Sequence, residues 1–267
     1  MAQAHILMSP PDFFEVVYSI NPWMTATVER DRARAQWDRL YAVLTGPAGA
    51  QVSLIPPVEG LPDLVFTANA AFIHKRKAII ARYKHPERQA EEPHAERWFR
   101  AHQYDVVTLP RQLNFEGAGD ALLYEERLVL AGYKSRTDIM AHQAISRETG
   151  LPVLSVELLD SHFYHIDVCL CPLSGGHLIY YPGAFDEYGL KVIEANIPEE
   201  KRLLTTRHEA RQFACNAVNV GETVVLNQGS SRLVEALRRR GFQVIEVDLS
   251  EFIKAGGSAK CRTLRVA

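Results

Sequence analysis

Apolar residues recur at helical spacing in a few separate segments of the chain. In residues 29–44 they form one stripe that includes Trp37 and Leu40, which predicts an amphipathic helix with this stripe buried. Similar patterns predict helices over residues 92–102, 137–149, 187–195 and 230–241. In the last of these, Ser230 is suited to cap the N-terminus and Gly241 to follow the C-terminus. The chain is therefore expected to contain about five helices.

Pairs of apolar runs lie between these helices, and turn-like residues separate the two runs of each pair. This pattern predicts β-hairpins with the sequences AAFIHKRKAIIARY, DALLYEERLVLAGY, HIDVCLCPLSGGHLIYYP and NAVNVGETVVLNQ. Short single strands are predicted beside the helices at VSLI, DVVTL, VLSVEL, LLTT and FQVIEVDL. The order of hairpin, helix and strand thus recurs about every fifty residues, which indicates blades arranged around an axis.

The composition favours one α/β domain over residues 1–267. The chain is 47% hydrophobic, and no linker, low-complexity run or charge block divides it. With 30 basic and 32 acidic side chains, the formal net charge of −2 predicts no surface for nucleic acid. No apolar run is long enough to cross a bilayer, and the N-terminus lacks a signal-peptide pattern. We therefore expect a cytoplasmic protein that does not bind a membrane.

The four cysteines show no CxxC spacing, and a chain of this length does not need disulfides, so free thiols are predicted. Cys261 is distinctive because it follows a flexible loop, GGS, and lies between Lys260 and Arg262. Cationic neighbours favour the thiolate, which is the nucleophilic form of cysteine. The two cysteines of the run DVCLC are expected to be core thiols, and the role of Cys215 stays open.

His165 and Asp167 are two residues apart in the apolar run FYHIDVCLCPL, which is predicted to be a strand. Side chains two apart in a strand point to the same face, so this pair would form a small polar site while Ile166 and Val168 face the other way. Taken alone, the pair is more typical of a core histidine that a neighbouring acid satisfies.

Three further segments carry candidate ligands. In NFEGAGDALLY, Glu116 and Asp120 flank a glycine-rich turn, where they could hold a cation or belong to a surface turn. The segment lacks the lysine and hydroxyl residues of a phosphate-binding loop. Asn21 precedes Pro22 in YSINPWM, and Asn69 begins the hairpin of FTANAAF. Each asparagine alone is compatible with a turn residue or a ligand.

Together these blocks resemble the guanidino-group modifying superfamily, which includes arginine deiminases, dimethylargininases and amidinotransferases. The matching blocks occur in family order over nearly the whole chain and are SINPWM, FTANAAFI, FEGAGD, GYKSRTD, YHIDVCL, CNAVNVG and GGSAKC. The resemblance implies the pentein fold, a five-bladed α/β propeller of pseudo-symmetric ββαβ units around a central active site. This expectation agrees with the repeat of hairpin, helix and strand.

The resemblance also implies a role for each matching position. Cys261 would be the nucleophile that attacks the guanidinium carbon, His165 the acid and base, and Asp167 and Glu116 the carboxylates that hold the substrate cation. The remaining implied substrate-binding residues are Asn21, Asn69, Arg88, Asp120 and Arg136. Arg136 and Arg88 correspond to a clamp for an α-carboxylate. The reaction requires no metal and no organic cofactor.

Asn69 departs from the pattern of deiminases and dimethylargininases, which usually have an aspartate there. An amide can donate as well as accept, so it penalises a neutral ureido group less than a carboxylate does. Together with Asn21, this feature resembles the arginine dihydrolases, which convert arginine to ornithine, carbon dioxide and two ammonia. Known dihydrolases often carry a further C-terminal domain, so this chain would be the catalytic module alone.

The prediction is therefore a cysteine-dependent hydrolase of a guanidino compound, with arginine dihydrolase as the first choice. The alternative is a dimethylargininase or an arginine deiminase that stops at citrulline. An amidinotransferase is less favoured. A non-catalytic arginine-binding propeller is also less favoured, because a binding protein has no need for a nucleophile. The sequence leaves the oligomeric state open, with a homo-oligomer among the options.

Overall fold

The computed structural model describes residues 3–267, in which the strands form five three-stranded sheets. The strands are His5–Met8 (β1), Gln51–Leu54 (β2), Ala71–His74 (β3), Lys77–Ile80 (β4), Asp105–Thr108 (β5), Ala121–Tyr124 (β6), Leu128–Tyr133 (β7), Val153–Glu157 (β8), Leu170–Pro172 (β9), Leu178–Tyr180 (β10), Arg202–Leu204 (β11), Val218–Val220 (β12), Thr223–Asn227 (β13), Gln243–Val247 (β14) and Leu264–Arg265 (β15). In every sheet the middle strand pairs antiparallel with one neighbour and parallel with the other.

In each sheet at least one helix links the middle strand to the strand that runs parallel to it, and three short helices lie between successive sheets. The helices are Arg30–Thr45 (α1), Pro86–Gln89 (α2), Glu92–Ala101 (α3), Ile139–Thr149 (α4), Ile166–Cys169 (α5), Glu187–Asn196 (α6), Arg207–Arg211 (α7), Ser231–Arg238 (α8) and Ser250–Ile253 (α9). The five predicted helices correspond to α1, α3, α4, α6 and α8, and the predicted hairpins and single strands are also present. No helix among residues 3–267 is long and apolar enough to cross a bilayer.

The sheets are the blades of a closed ring. We number them by their strands: blade 1 is β15-β1-β2, blade 2 is β3-β4-β5, blade 3 is β6-β7-β8, blade 4 is β9-β10-β11 and blade 5 is β12-β13-β14. Apolar side chains pack in five clusters, and each cluster joins two neighbouring blades. The cluster of Ile6 and Val225, for example, joins blade 1 to blade 5. This arrangement confirms the predicted five-bladed α/β propeller.

Blade 1 contains both ends of the described chain. Leu7 of β1 pairs with Leu264 of β15, and the backbone nitrogen of His5 donates to the carbonyl of Ala267 at 2.9 Å. Because β15 begins just after Cys261, this pairing fixes the position of the predicted nucleophile relative to the other blades.

Two local predictions are wrong. The predicted strand at His165 is not formed, because His165 precedes the helical turn α5 and strand pairing starts only at Leu170. The carboxylate of Asp120 accepts a hydrogen bond from the backbone nitrogen of Ile166 at 3.1 Å, which stabilises the start of this turn. A short, fully buried apolar run does not distinguish strand from helix.

The second wrong prediction concerns the cap of α8. Ser230 makes no side-chain capping hydrogen bond within the described residues, and its hydroxyl is buried. The helix itself ends at Arg238, and Gly241 adopts a left-handed φ of 87° beyond this end.

Candidate active site

Five polar side chains occupy equivalent places in the five blades. Asn69, Glu116, His165, Asn216 and Cys261 each lie in the segment just before the first strand of a blade. All five are at most 2% exposed. The ring brings these segments together, so residues that are far apart in sequence become neighbours.

His165 and Glu116 form a buried hydrogen-bonded pair in the site. His165 Nε2 lies 2.7 Å from Glu116 Oε2, and Arg136 Nη1 donates to the same oxygen at 2.9 Å. Burial opposes the ionisation of Glu116, but Arg136 and His165 outweigh it and hold the pKa of this carboxyl well below its usual range. Glu116 is therefore a carboxylate that orients the imidazole.

Asp120 lies behind His165. Its two carboxylate oxygens accept from the Thr137 hydroxyl at 2.7 Å and from the Ile166 nitrogen at 3.1 Å. Burial raises the pKa of Asp120 to about 6, against the opposing effect of His165. These contacts indicate that Asp120 supports the segment carrying His165, whereas the resemblance implied a place in the substrate pocket.

The thiol of Cys261 faces Asp167, with 3.4 Å between Sγ and Oδ2. Burial raises the pKa of Asp167 to about 6, although Lys260 lowers it. Burial and the neighbouring Asp167 raise the pKa of the Cys261 thiol well above its usual range. His165 and Asp167 thus reach the site from a helical turn, with His165 bonded to Glu116 and Asp167 next to the thiol.

Lys260 and Arg262 do not offset the effect of burial on the Cys261 thiol, whose pKa stays well above its usual range. Lys260 Nζ lies 3.5 Å from the carbonyl oxygens of Ala118 and Thr263. The Arg262 guanidinium stacks on the Phe252 ring, with Cζ 3.7 Å from its centroid, and burial lowers its pKa to about 9. Proximity in sequence did not indicate where these cations lie.

All four cysteines are free thiols in the described chain, as predicted. Cys169, Cys171 and Cys215 are buried in the core, and burial raises the pKa of each. For Cys171 and Cys215 the pKa is raised to about 12. None of these three thiols lines the pocket that contains Cys261.

Asn69 is held by Arg88. Arg88 Nη1 donates to Asn69 Oδ1 at 2.9 Å, while its Nε and Nη2 form a paired interaction with Glu91, both at 2.8 Å. The Asn69 amino group points to the other side, 3.5 Å from His165 Nδ1. The bond from Arg88 thus fixes the amide orientation. Arg88 binds protein groups here, in addition to the implied role in binding a carboxylate.

A pocket lies beside these groups, and its wall contains five of the predicted residues and one acid that the sequence reading missed. Its wall is formed by Ile20, Asn21, Asp63, Phe66, Asn69, Arg88, Arg136, Tyr164, Ala255 and Cys261. The free space is about 10 Å³, enough for about one water, so the wall must move before a guanidino compound can enter.

Asp63 is the missed acid of this wall. Its Oδ1 is buried and has no hydrogen-bond partner within residues 3–267, and burial raises the pKa of its carboxyl. In the sequence it follows a proline in LPDLVF, which gives no signal of a ligand. Asn21 joins two parts of the wall, because its amide donates to the Ala255 carbonyl at 3.1 Å and accepts from the Trp23 nitrogen at 2.9 Å.

The glycines of FEGAG allow the segments to approach closely. A Cβ atom at Gly119 would lie 2.3 Å from Asn69 Nδ2 and 3.2 Å from His165 Nδ1. Gly117 has a φ of +59°, and a Cβ there would lie 2.5 Å from the Asn69 carbonyl oxygen. The glycines are therefore needed for packing between blades 2, 3 and 4. No three His, Cys, Asp or Glu side chains in residues 3–267 are grouped to hold a metal ion.

Asn216 is the second residue that the sequence reading missed, although its block CNAVNVG was part of the resemblance. Its Nδ2 lies 3.1 Å from Cys261 Sγ, and its Oδ1 accepts from the Cys261 nitrogen at 3.1 Å. Its place before β12 is equivalent to that of the other four residues. The repeat could therefore have indicated it.

Comparison with known proteins agrees with this geometry. The relative AgrE of Nostoc sp., a bifunctional arginine dihydrolase/ornithine cyclodeaminase, is 47% identical over 99% of this chain, which spans only 38% of AgrE. The N(G),N(G)-dimethylarginine dimethylaminohydrolase of Mycobacterium tuberculosis is 43% identical over 97% of this chain and 84% of its own length.

The solved structure of the N-terminal domain of ArgZ bound to product, an arginine dihydrolase of Cyanobacteria, superposes with a TM-score of 0.97 at 46% identity, covering 100% of this chain and 98% of that domain. A family model described as N,N dimethylarginine dimethylhydrolase, eukaryotic, matches residues 20–267. The chain belongs to this family of dimethylarginine dimethylhydrolases.

Proposed function

We propose that this chain is a cysteine-dependent hydrolase whose substrate is arginine, and that it converts arginine to ornithine, carbon dioxide and two ammonia. The observation that carries this proposal is the position of Asn69. A neutral amide, held by Arg88 and directed at His165, occupies the place where an aspartate would favour a guanidinium over a ureido group. The similarity to the dihydrolase domain of ArgZ supports the same conclusion.

The first hydrolysis uses the thiol and the two unsatisfied acids. Asp167 and Asp63 each have a buried oxygen that lacks a hydrogen-bond partner in the described residues, and both can accept guanidinium N–H groups. The bound cation lowers the pKa of Cys261 by offsetting the charge of Asp167. The thiol proton passes to His165, Sγ bonds to the guanidinium carbon, a C–N bond breaks, and ammonia leaves with the proton that His165 returns.

Water completes this step. His165, oriented by Glu116, takes a proton from water, which attacks the carbon of the covalent thiouronium. The C–S bond breaks, Sγ is regenerated, and citrulline remains in the pocket.

The second hydrolysis repeats the sequence on citrulline. The thiol attacks the ureido carbon, the second ammonia leaves, and water releases a carbamate that loses carbon dioxide to give ornithine. The ureido oxygen is a hydrogen-bond acceptor, so the Asn69 amino group can donate to it, whereas an ionised aspartate could not. The direction of the Asn69 amide therefore matches the second substrate.

The test is a product assay. The protein is incubated with arginine, and ornithine, citrulline and ammonia are quantified over time, with Cys261→Ala as the inactive control. Two ammonia per ornithine without accumulation of citrulline supports the proposal. Citrulline with one ammonia contradicts it and indicates an arginine deiminase.

Dimethylarginine hydrolysis is the second candidate, because the Mycobacterium tuberculosis relative with that name matches 97% of this chain and is itself covered over 84% of its length. Release of dimethylamine from dimethylarginine, at a higher kcat/KM than the turnover of arginine, would favour this candidate. Absence of turnover with every guanidino compound would instead favour a binding protein.

A further inference from the structure

Asn216 is the residue of blade 5 that occupies the same place as Asn69, Glu116, His165 and Cys261 in the other blades. It is fully buried. Neither the hydrolytic steps above nor the family resemblance gives it a role. Its position and its contacts with the thiol both require an explanation.

The side-chain amide of Asn216 uses its full hydrogen-bonding capacity. Nδ2 donates to Cys261 Sγ at 3.1 Å and to the Asp167 carbonyl at 2.9 Å. Oδ1 accepts from the backbone nitrogens of Cys261 and Ser258, both at 3.1 Å. A flipped amide would set its amino group against two N–H donors, so the contacts fix the orientation.

The sulfur therefore lies between a donor and an acceptor. As a thiol it donates to Asp167 Oδ2 at 3.4 Å, and it accepts from Asn216 Nδ2. When the thiol ionises, the contact with Asp167 becomes repulsive, whereas the hydrogen bond from Asn216 becomes charge-assisted and stronger. Asn216 consequently stabilises the thiolate more than the thiol.

We infer that Asn216 is a positioning residue for the nucleophile: its amide fixes the segment from Ser258 to Cys261 and holds the Cys261 thiolate by a side-chain hydrogen bond. The inference rests on the proposed function only in taking Cys261 as the nucleophile. The charged and titratable groups around the thiol, none of which is substituted in the test, are Asp63, Arg88, Arg136, Tyr164, Asp167, Lys260 and Arg262.

The decisive variant is Asn216→Asp, which has nearly the same shape as the wild-type side chain. One carboxylate oxygen can still accept from the backbone nitrogens of Cys261 and Ser258, whereas the other replaces the amino group that donates to Cys261 Sγ. The measurement is the rate of Cys261 alkylation by iodoacetamide between pH 7 and 11, read from the Cys261 peptide by mass spectrometry. We expect the midpoint of the rate profile to rise by about one pH unit and the rate at pH 8 to fall about tenfold.

Asn219→Asp is the matched control, because Asn219 lies in β12 of the same blade and its amide contacts Gly221 and Thr223 instead of the thiol. Its alkylation profile should equal that of the wild type. A folded Asn216→Asp protein with the wild-type midpoint would overturn the inference. Alkylation involves no arginine, so this result is independent of which products the enzyme forms.

A second measurement needs no Asn216 variant. In wild-type protein labelled with ¹⁵N-asparagine, the side-chain NH₂ signal of Asn216 should shift with pH at the midpoint of Cys261 alkylation, and this shift should vanish in Cys261→Ala. An Asn216 signal that is unchanged through the titration would also overturn the inference, even if Asn216→Asp did not fold.

Discussion

The histidine side and the thiol side of the candidate site differ in how completely their carboxylates are hydrogen-bonded. On the histidine side, Glu116 Oε2 accepts from both His165 and Arg136, at 2.7 and 2.9 Å. On the thiol side, one carboxylate oxygen of Asp167 is buried without a hydrogen-bond partner in the described chain. The Glu116 carboxylate is paired within the protein, whereas the Asp167 carboxylate on the thiol side still lacks an N–H donor to one of its oxygens.

The carboxyl pKa values follow this difference. Arg136 and His165 overcome the effect of burial at Glu116 and lower its pKa, while burial dominates at Asp167 and raises its pKa to about 6. A guanidinium would supply both the N–H donors and the charge that the thiol side lacks. Under the proposed mechanism, His165 and Glu116 are already arranged for proton transfer, and a bound cation would lower the pKa of Cys261 by offsetting the charge of Asp167.

The largest expected effect comes from removing the nucleophile. Cys261→Ser should lower kcat at least about a thousandfold while leaving the thermal unfolding midpoint nearly unchanged, because the oxygen fits the same space. Cys171→Ala serves as the control, since this core thiol has a pKa raised to about 12 and should be dispensable. Near-normal turnover by Cys261→Ser would remove Cys261 from the mechanism.

Removing the Glu116 carboxylate from the histidine side should lower both activity and stability. Glu116→Gln leaves Arg136 as a buried charge without its partner, and losses of this kind destabilise proteins by about 3–5 kcal/mol. Urea unfolding measures this cost, and kcat should fall about a hundredfold because His165 loses its orienting carboxylate. The matched control is Glu15→Gln at an exposed ion pair with Arg30, expected within about 0.5 kcal/mol of the wild type. Equal effects of the two substitutions would contradict a preorganised histidine side.

On the thiol side, removing the carboxylate of Asp167 should stabilise the protein at high pH, in contrast to the destabilisation expected for Glu116→Gln. Asp167 has a folded-state pKa of about 6, above its ordinary value of 3.8, so its stabilising contribution is present below pH 3.8 and is lost as pH rises through 6. Asp167→Asn removes this cost. Relative to the wild type, its free energy of unfolding should therefore increase between pH 4 and pH 8 by an amount on the order of 3 kcal/mol.

Urea unfolding at several pH values measures this difference, and Asp38→Asn, at a side chain that is 57% exposed, is the control. A stability difference between wild type and Asp167→Asn that does not change with pH would contradict an unsatisfied carboxylate beside the thiol.

The smallest expected effect is on the ratio of citrulline to ornithine. Asn69→Asp introduces a carboxylate that grips the guanidinium and cannot donate to a ureido oxygen, so the KM for arginine should fall and the ratio of citrulline to ornithine should rise several-fold. Chromatography of the products at full conversion measures this ratio, with Asn219→Asp for comparison. An unchanged ornithine yield would remove Asn69 from the explanation.

The periodic parts of the molecule could be predicted from the sequence, whereas the local turns that aim the site residues could not. Alternating apolar runs identified all the hairpins, and helical stripes such as that of Trp37 and Leu40 identified the longer helices. The helical turn α5 was missed because its start is stabilised by Asp120, a residue of another blade. The pattern of apolar residues around His165 cannot indicate a contact with a residue so distant in the sequence.

The site was predicted to a similar extent. Cys261, His165, Glu116 and Asn69 were singled out by block resemblance, and the structure brings them together. Asp63 was missed because a single acid after a proline has no distinctive context, and the raised thiol pKa could not be foreseen because burial depends on the complete fold.

The most direct test of cysteine-dependent arginine hydrolysis is to trap the covalent intermediate. The protein is mixed with isotopically labelled arginine, quenched with acid during turnover, digested and analysed by mass spectrometry. The proposed mechanism predicts a labelled adduct on the peptide that contains Cys261, absent from Cys261→Ser and from protein quenched before arginine is added. Turnover without any adduct on Cys261, or with the label on Cys169, Cys171 or Cys215, would contradict it.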